Sequence, residues 1–401
     1  MFRKQFYIPP TTTGEESAYF CGNSLGLQPK KVAEYLMEEV EDWRRLGVEG
    51  HIHAKNAWVS YHELFSQALS KIVGAKPEEV IVMNGLTTNL HLLMVSFYRP
   101  NKQKFKILIE KGAFPSDKYA VDSQLRWHGF APETALVEVA PREGEHCIRL
   151  EDIEQAIETH SDSLALILLG GVNYYTGQLF PLQKIAQKAQ AHGICLGYDL
   201  AHAVGNVPLD LHEWGVDFAA WCHYKYLNAG AGATAGAFVH QKHHHNPNIP
   251  RFEGWWGTDK SSRFQMLPTF SPIPTAEAWQ LSNAPVFSMS PLRASLEIFE
   301  QTDMLALRKE SIRLTNYLER SLKECLDPEL FEIITPQNPA ERGAQLSVFI
   351  HKNGKQTHQK LTQAGVIADW REPNVLRLAP APLYNNLKDI DMLCGILTAS
   401  V

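Results

Sequence analysis

Between residues 80 and 225, short apolar runs alternate with segments of helical spacing, and this alternation limits the fold more than any other feature of the 401-residue chain. The runs at 80–83, 105–109, 136–139, 164–169, 194–199 and 216–224 are strand-sized. Helical spacing is predicted for 90–97, 117–124, 150–158 and 182–191. Strands separated by helices predict an α/β fold, a mainly parallel sheet with helices on both faces. The pattern changes after about residue 285. Long helices are predicted over 291–299 and 304–322. Strands follow at 331–334, 345–350 and 375–378, around a helix at 356–363, which makes a smaller α+β unit. A chain this long exceeds one ordinary core. The expected division is an N-terminal segment, 1–50, packing with the small domain, a large domain over 51–285 and a small C-terminal domain over 286–401. Residues 251–285 are rich in Gly, Pro, Trp and Phe without periodicity, and read as a functional loop.

Composition narrows the function classes. A net charge of −6 gives no reason to expect nucleic acid or an anionic membrane as partner, so any anion site must be local. The six cysteines are scattered, with no Cys-x-x-Cys pair, and read as reduced thiols in a cytoplasmic protein. The first residues are too poor in apolar side chains for a signal peptide. The most apolar run, 164–169, is too short to span a bilayer.

Two of the apolar runs end on chemistry. The run from Ile194 ends on Asp199, with His202 just beyond. The run from Val216 closes on Tyr224 and Lys225, and a soft Gly/Ala loop follows to Gly236. A lysine at the end of a buried strand is uncommon, because burying an ammonium is costly. One acid and one lysine at neighbouring strand ends suit pyridoxal 5'-phosphate (PLP). Lysine forms a Schiff base with it, and the acid keeps its pyridinium nitrogen protonated so that the ring acts as an electron sink. A snorkelling lysine is the plain alternative. The glycines at 230, 232 and 236 do not match a dinucleotide fingerprint, since the third stands one place late. They are expected to let the backbone pass close to another segment.

Other candidates surround this pair. Leu86-Thr87-Thr88-Asn89 places hydroxyls and N–H groups at a helix start, as a phosphate site or an ordinary cap. Phe114 could stack on a pyridine ring, and Ser116 and Asp117 could cap the next helix. His51, His53 and His202 could make polar contacts. Arg377 suits either a bidentate pair with a substrate carboxylate or a structural ion pair, and the residues alone leave both open. The run His243-His-His245 lies in a solvent-like stretch, and no metal site is expected there.

The segments Gly22-Asn-Ser-Leu-Gly-Leu-Gln-Pro29, Asn84-Gly-Leu-Thr-Thr-Asn-Leu-His91, Phe114-Pro-Ser-Asp117, Tyr198-Asp-Leu-Ala-His-Ala-Val-Gly-Asn206, Trp221-Cys-His-Tyr-Lys-Tyr-Leu-Asn-Ala-Gly-Ala-Gly232 and Arg377-Leu-Ala-Pro-Ala-Pro-Leu-Tyr384 resemble kynureninases. The resemblance runs in order from about residue 18 to the end. It implies the aspartate-aminotransferase-like fold, with a mainly parallel seven-stranded sheet in the large domain and a small C-terminal α+β domain, together with PLP, a homodimer, and hydrolysis of L-kynurenine or its 3-hydroxy form to alanine and an anthranilate. It assigns the cofactor linkage to Lys225, the pyridine nitrogen to Asp199, ring stacking to Phe114, and cofactor contacts to Leu86, Thr87, Asp117, His202 and Tyr224. Trp255 and Asn283 would arrive from the partner subunit. Ser24, His51, Asn283 and Arg377 would meet the substrate, and Tyr224 would shuttle a proton. One position departs from the pattern: Gly170 stands where these enzymes often carry a Ser or Thr, which puts that hydroxyl contact in doubt. A related lyase of the cysteine desulfurase type is the rival reading. It needs a mobile cysteine near the C-terminal part of the site, and neither Cys325 nor Cys394, both in helix-like runs, suits it.

Overall fold

The computed structural model describes residues 2–400. Its central layer is a seven-stranded sheet: β1 (Val80–Met83), β2 (Lys106–Glu110), β3 (Leu136–Val139), β4 (Leu164–Gly170), β5 (Cys195–Asp199), β6 (Phe218–Cys222) and β7 (Ala235–Val239). The strand order is β1-β7-β6-β5-β4-β2-β3. β7 runs antiparallel to both its neighbours, while β2 through β6 pair in parallel. Side chains alternate between two cores. On β2, Leu108 joins one core while Ile107 and Ile109 join the other, and on β4 Ile167 and Leu169 oppose Leu166 and Leu168. Burial on both faces is why these strands read as continuous apolar runs.

Helices α1 (Val32–Leu46), α2 (Leu86–Phe97), α3 (Pro115–Trp127), α4 (Leu150–His160) and α5 (Leu182–Ala191) precede or separate these strands. α2 begins four residues earlier than its apolar spacing predicts, because its polar first turn, Leu86-Thr-Thr-Asn89, is already helical. β7 hides in the sequence within the Gly/Ala loop. Gly236 sits on it against the indole of Trp221, where a Cβ would come within 2.3 Å. Gly230 and Gly232 have another purpose from the expected close approach: nothing lies within 4 Å of them, and both hold left-handed φ values of 83° and 77° in the turn before β7.

The C-terminal part builds α6 (Val286–Phe299), α7 (Met304–Cys325), α8 (Gly354–Gln363) and α9 (Leu387–Ser400). With them stands a four-stranded sheet, β8 (Phe331–Ile333), β9 (Leu346–Ile350), β10 (Asp369–Arg371) and β11 (Val375–Leu378), in the order β8-β9-β11-β10. A third core, with Leu346, Val348, Leu376 and Leu378, lies under it. The N-terminal segment touches both parts. Ala18–Tyr19 pairs in parallel with Val366–Ile367 and α1 packs along α6, both in the C-terminal part, while Gly26 N donates to Tyr224 O in the large part. Among the described residues no helix is long and apolar enough to cross a membrane.

Candidate active site

Parallel strands aim their C-terminal ends at one edge of the sheet, and loops there converge on a crevice. A cavity of about 340 Å³ opens at that edge. Gly85 to Thr88 and Ser116 line it, with Phe114 and Asp117 from the start of α3, Glu110 from β2 and Gly170 from β4. Asp199, Ala201, His202, Tyr224 and Lys225 complete much of the wall. Seven of the residues singled out above, Leu86, Thr87, Phe114, Asp117, Asp199, His202 and Tyr224, thus share one chamber with Lys225. A larger groove of about 790 Å³ lies elsewhere, but surface groups such as Glu145, Arg149 and Glu332 supply its charge. Chemistry, not size, marks the site.

Lys225 stands three residues beyond β6, and its Nζ lies 3.1 Å from His202 Nε2. The Phe114 and Tyr224 rings flank Nζ, with centroids 5.8 and 5.9 Å away. Burial and the Lys225 charge hold His202 far below the usual imidazole range, so the ring is neutral and its Nε2 accepts from the lysine. The backbone around Lys225 is fixed from the N-terminal segment. Gly26 N donates to the Tyr224 carbonyl at 2.8 Å, and a Cβ on Gly26 would lie 2.4 Å from the Lys225 carbonyl. This close approach explains why a motif two hundred residues upstream belongs to the site.

Asp199 Oδ1 accepts from Ala201 N at 2.7 Å. Burial raises its carboxyl above the usual range, though less than that of Asp117, which burial and Asp199 push well above it. Glu110 adds a third acid, pushed up to about 7 by burial, and both its oxygens lie 3.2–3.3 Å from Gly170 N. Opposite, α2 presents its N-terminus. Gly85 caps it with no side-chain acceptor, and the Thr87 and Ser116 hydroxyls meet at 2.7 Å. Burial keeps the Tyr224 hydroxyl a phenol, raised above its usual range.

These groups fit PLP. The uncapped end of α2 and two hydroxyls suit a phosphate. The carboxyl pair lacks a cation of its own beyond Lys225, which a protonated ring nitrogen would supply. His202 Nδ1 is buried without a partner, and Phe114, 43% exposed, leaves a ring face open to the chamber.

The remaining candidates lie outside this chamber. His51 and Asn283 line a second cavity, about 240 Å³, with Trp43, Trp58 and Phe287. Trp255 is half exposed, its indole donating to Arg263 O at 3.0 Å. Ser24 sits in the N-terminal turn, its N–H bonded to Cys21 O. Arg377, on β11, is fully buried. Its guanidinium pairs with Asp369 and donates to Tyr174 O at 2.7 Å, leaving Nε without a partner. The ion pair that the residues left open is therefore made, with one donor to spare. Cys325 and Cys394 lie on α7 and α9, and no cysteine lines the Lys225 chamber among the described residues. Of the histidine run, His243 bonds Asp217 and His244 bonds Val239 O, each as a separate structural contact. Glu110 escaped the sequence reading although it ends an apolar run just as Asp199 does.

Comparison with known proteins decides the family. A model described as the kynureninase C-terminal domain matches residues 307–397, and one for the DegT/DnrJ/EryC1/StrS aminotransferase family matches 53–216. A kynureninase of Myxococcus xanthus is 55% identical over 97% of this chain and 91% of its own. One of Salinispora tropica is 50% identical over 100% and 94%. The chain belongs to the kynureninase family. Among solved structures, a C-DES mutant with glycine covalently linked to its PLP cofactor superposes with a TM-score of 0.82 at 17% identity, covering 99% of both chains. The cysteine desulfurase CsdA of Escherichia coli gives 0.78 at 17%, covering 99% of this chain and 97% of its own. These likenesses show the fold, which kynureninases therefore share with sulfur-releasing lyases.

Proposed function

We infer that the protein is a PLP-dependent kynureninase, which hydrolyses the Cβ–Cγ bond of L-kynurenine or 3-hydroxy-L-kynurenine to L-alanine and the corresponding anthranilate. The observation that carries this reading is the enclosure of Lys225, His202 and the Asp117–Asp199 pair in one chamber of a chain 50–55% identical to curated kynureninases. The desulfurase alternative is not favoured, since none of the chamber's lining residues is a cysteine.

When bound, PLP supplies a ring that accepts the electron pair released at the substrate α-carbon. Lys225 would hold the cofactor through Nζ, and its free amine would take the α-proton and later return it to the same carbon. His202, neutral and 3.1 Å away, receives a hydrogen bond from Nζ and orients it. Asp199 keeps the ring-nitrogen proton in place. Phe114 covers one face of the chamber. Water gives its hydroxyl to the γ-carbonyl carbon, the Cβ–Cγ bond breaks with its electron pair going to Cβ, and Cβ takes the proton that water leaves. Tyr224, a phenol beside Lys225, moves that proton. Arg377 offers its spare Nε to the substrate carboxylate.

The test is direct. Purified protein loaded with PLP should consume L-kynurenine or 3-hydroxy-L-kynurenine and release equimolar alanine and anthranilate. Failure to turn over either compound would overturn the reading. His51 and Asn283 support a preference for 3-hydroxykynurenine, because a site built to bond a hydroxyl loses affinity for the analogue without it. The expected ratio of kcat/KM is about tenfold, the worth of one such bond. A preference for the unsubstituted compound would sink this assignment.

A homodimer with shared sites is proposed from the same geometry. Within one chain His51, Asn283 and Trp255 do not line the Lys225 chamber, while Phe252, Trp255, Phe264 and Leu267 stand exposed on the loop between β7 and α6. Sedimentation should give a particle of twice the 45.2 kDa chain mass; an active monomer would refute the dimer. A cytoplasmic location is proposed with the scattered free thiols as its support.

A further inference from the structure

Resting on the PLP reading, we propose that Glu110 is a positioning residue of the cofactor site: it fills the place of a side chain at residue 170, and its charge sets how tightly PLP is held as pH changes. Glu110 ends β2, is 5% exposed and lines the chamber, yet none of the steps above uses it. A Cβ on Gly170 would come within 2.8 Å of Glu110 Oε1, so glycine at 170 is what lets the carboxyl lie there. Its oxygens receive the Gly170 N–H. The space that a side chain at 170 would take is thus filled from the neighbouring strand by an acid, which can carry charge.

The surroundings decide what that charge does. Asp117 faces the chamber from α3 and Asp199 from β5, while Lys225 and His202 stand across it. β4 presents only the Gly170 amide, Glu138 on β3 is exposed, and Lys111, next in the chain, is exposed. With His202 neutral, three carboxyls answer one ammonium. In that setting burial keeps Glu110 protonated up to about pH 7. A protonated ring nitrogen brought beside Asp199 adds a cation and favours the ionised form of Glu110. Loading then releases a proton from the acid cluster, and by linkage the contribution of Glu110 to affinity grows as pH rises through 7.

The experiment compares PLP dissociation constants of wild type and Glu110→Gln between pH 6 and 9, by quenching of intrinsic tryptophan fluorescence in dialysed apoprotein. Glutamine copies the protonated acid, so the two should match at pH 6. At pH 8 to 9 the variant should bind on the order of tenfold more weakly. Glu110→Asp, which keeps the charge, should recover a pH-dependent part of the difference. A ratio that stays constant from pH 6 to 9 overturns the proposal. Should Glu110→Gln fail to fold, Gly170→Ser carries the test. Its Cβ displaces the carboxyl, so PLP affinity should fall at pH 8 more than at pH 6, and a pH-independent change would again overturn it. Wild-type protein that takes up no PLP would overturn the cofactor reading itself, a result distinct from either.

Discussion

Replacing Lys225 with alanine abolishes turnover, with an expected loss in kcat of at least about 10⁴-fold. On the roles proposed for Nζ, the change removes the covalent anchor and the proton-moving amine together. The remaining wall still recognises PLP: the N-terminus of α2, Phe114 and Asp199 do not depend on Nζ. The variant should therefore bind PLP reversibly, lose it on dialysis, and lack the visible absorbance that the lysine linkage gives the wild type. His202 Nε2 loses its 3.1 Å partner, so its ring is free to turn. Circular dichroism should show the fold intact, since Lys225 packs into no core cluster. Kynurenine consumption followed by absorbance is the measurement. Sustained turnover within a hundredfold of wild type would show that Lys225 is not the anchor.

Asp199→Asn is expected to lower kcat by about 10³-fold, the scale of one preorganised electrostatic contact. Asparagine keeps the shape but cannot hold the ring-nitrogen proton, and the ring then accepts electrons poorly. The role proposed for Asp199 is towards the cofactor ring and not the substrate, so kcat and kcat/KM should fall together while KM changes little. A second consequence is local. Asp199 is, after burial, the main cause of the raised Asp117 carboxyl, so the substitution should let Asp117 move back towards the ordinary range. Steady-state kinetics on the loaded variant tests the first claim. A variant with raised KM and unchanged kcat would place Asp199 at the substrate instead.

Much of this was legible in the chain. The apolar runs at 80–83 and 164–169 became strands because burial on both faces demands continuous hydrophobicity, a pattern that needs no tertiary knowledge. Asp199 and Lys225 were visible because each breaks such a run with a charge. β7 was not, since Ala and Gly dominate it and its burial depends on Trp221 filling the space over Gly236. β10 was missed for a related reason: Asp369-Trp370-Arg371 carries two charges, and its pairing with β11 follows from the Asp369 contact to Arg377. Glu110 obeyed the same rule as Asp199, an acid closing an apolar run, and only the fold shows that both runs end in the same chamber. Gly26 carried no local signal of its contact with the Lys225 backbone, which chain folding alone creates.

Arg377 has a wider consequence. It rises from the small sheet, yet one of its donors ends on the Tyr174 carbonyl beyond β4 of the large one. The strand ends that hold Lys225, Asp199 and Glu110 belong entirely to the large sheet. On the roles proposed for these residues, recognition of the substrate is mounted on a different piece of chain from the bond-breaking apparatus. A lineage can reshape β10, β11 and the aromatic loop while leaving the proton-handling edge untouched. Such a division would let one scaffold, shared at 17% identity with a cysteine desulfurase, serve the cleavage of different bonds.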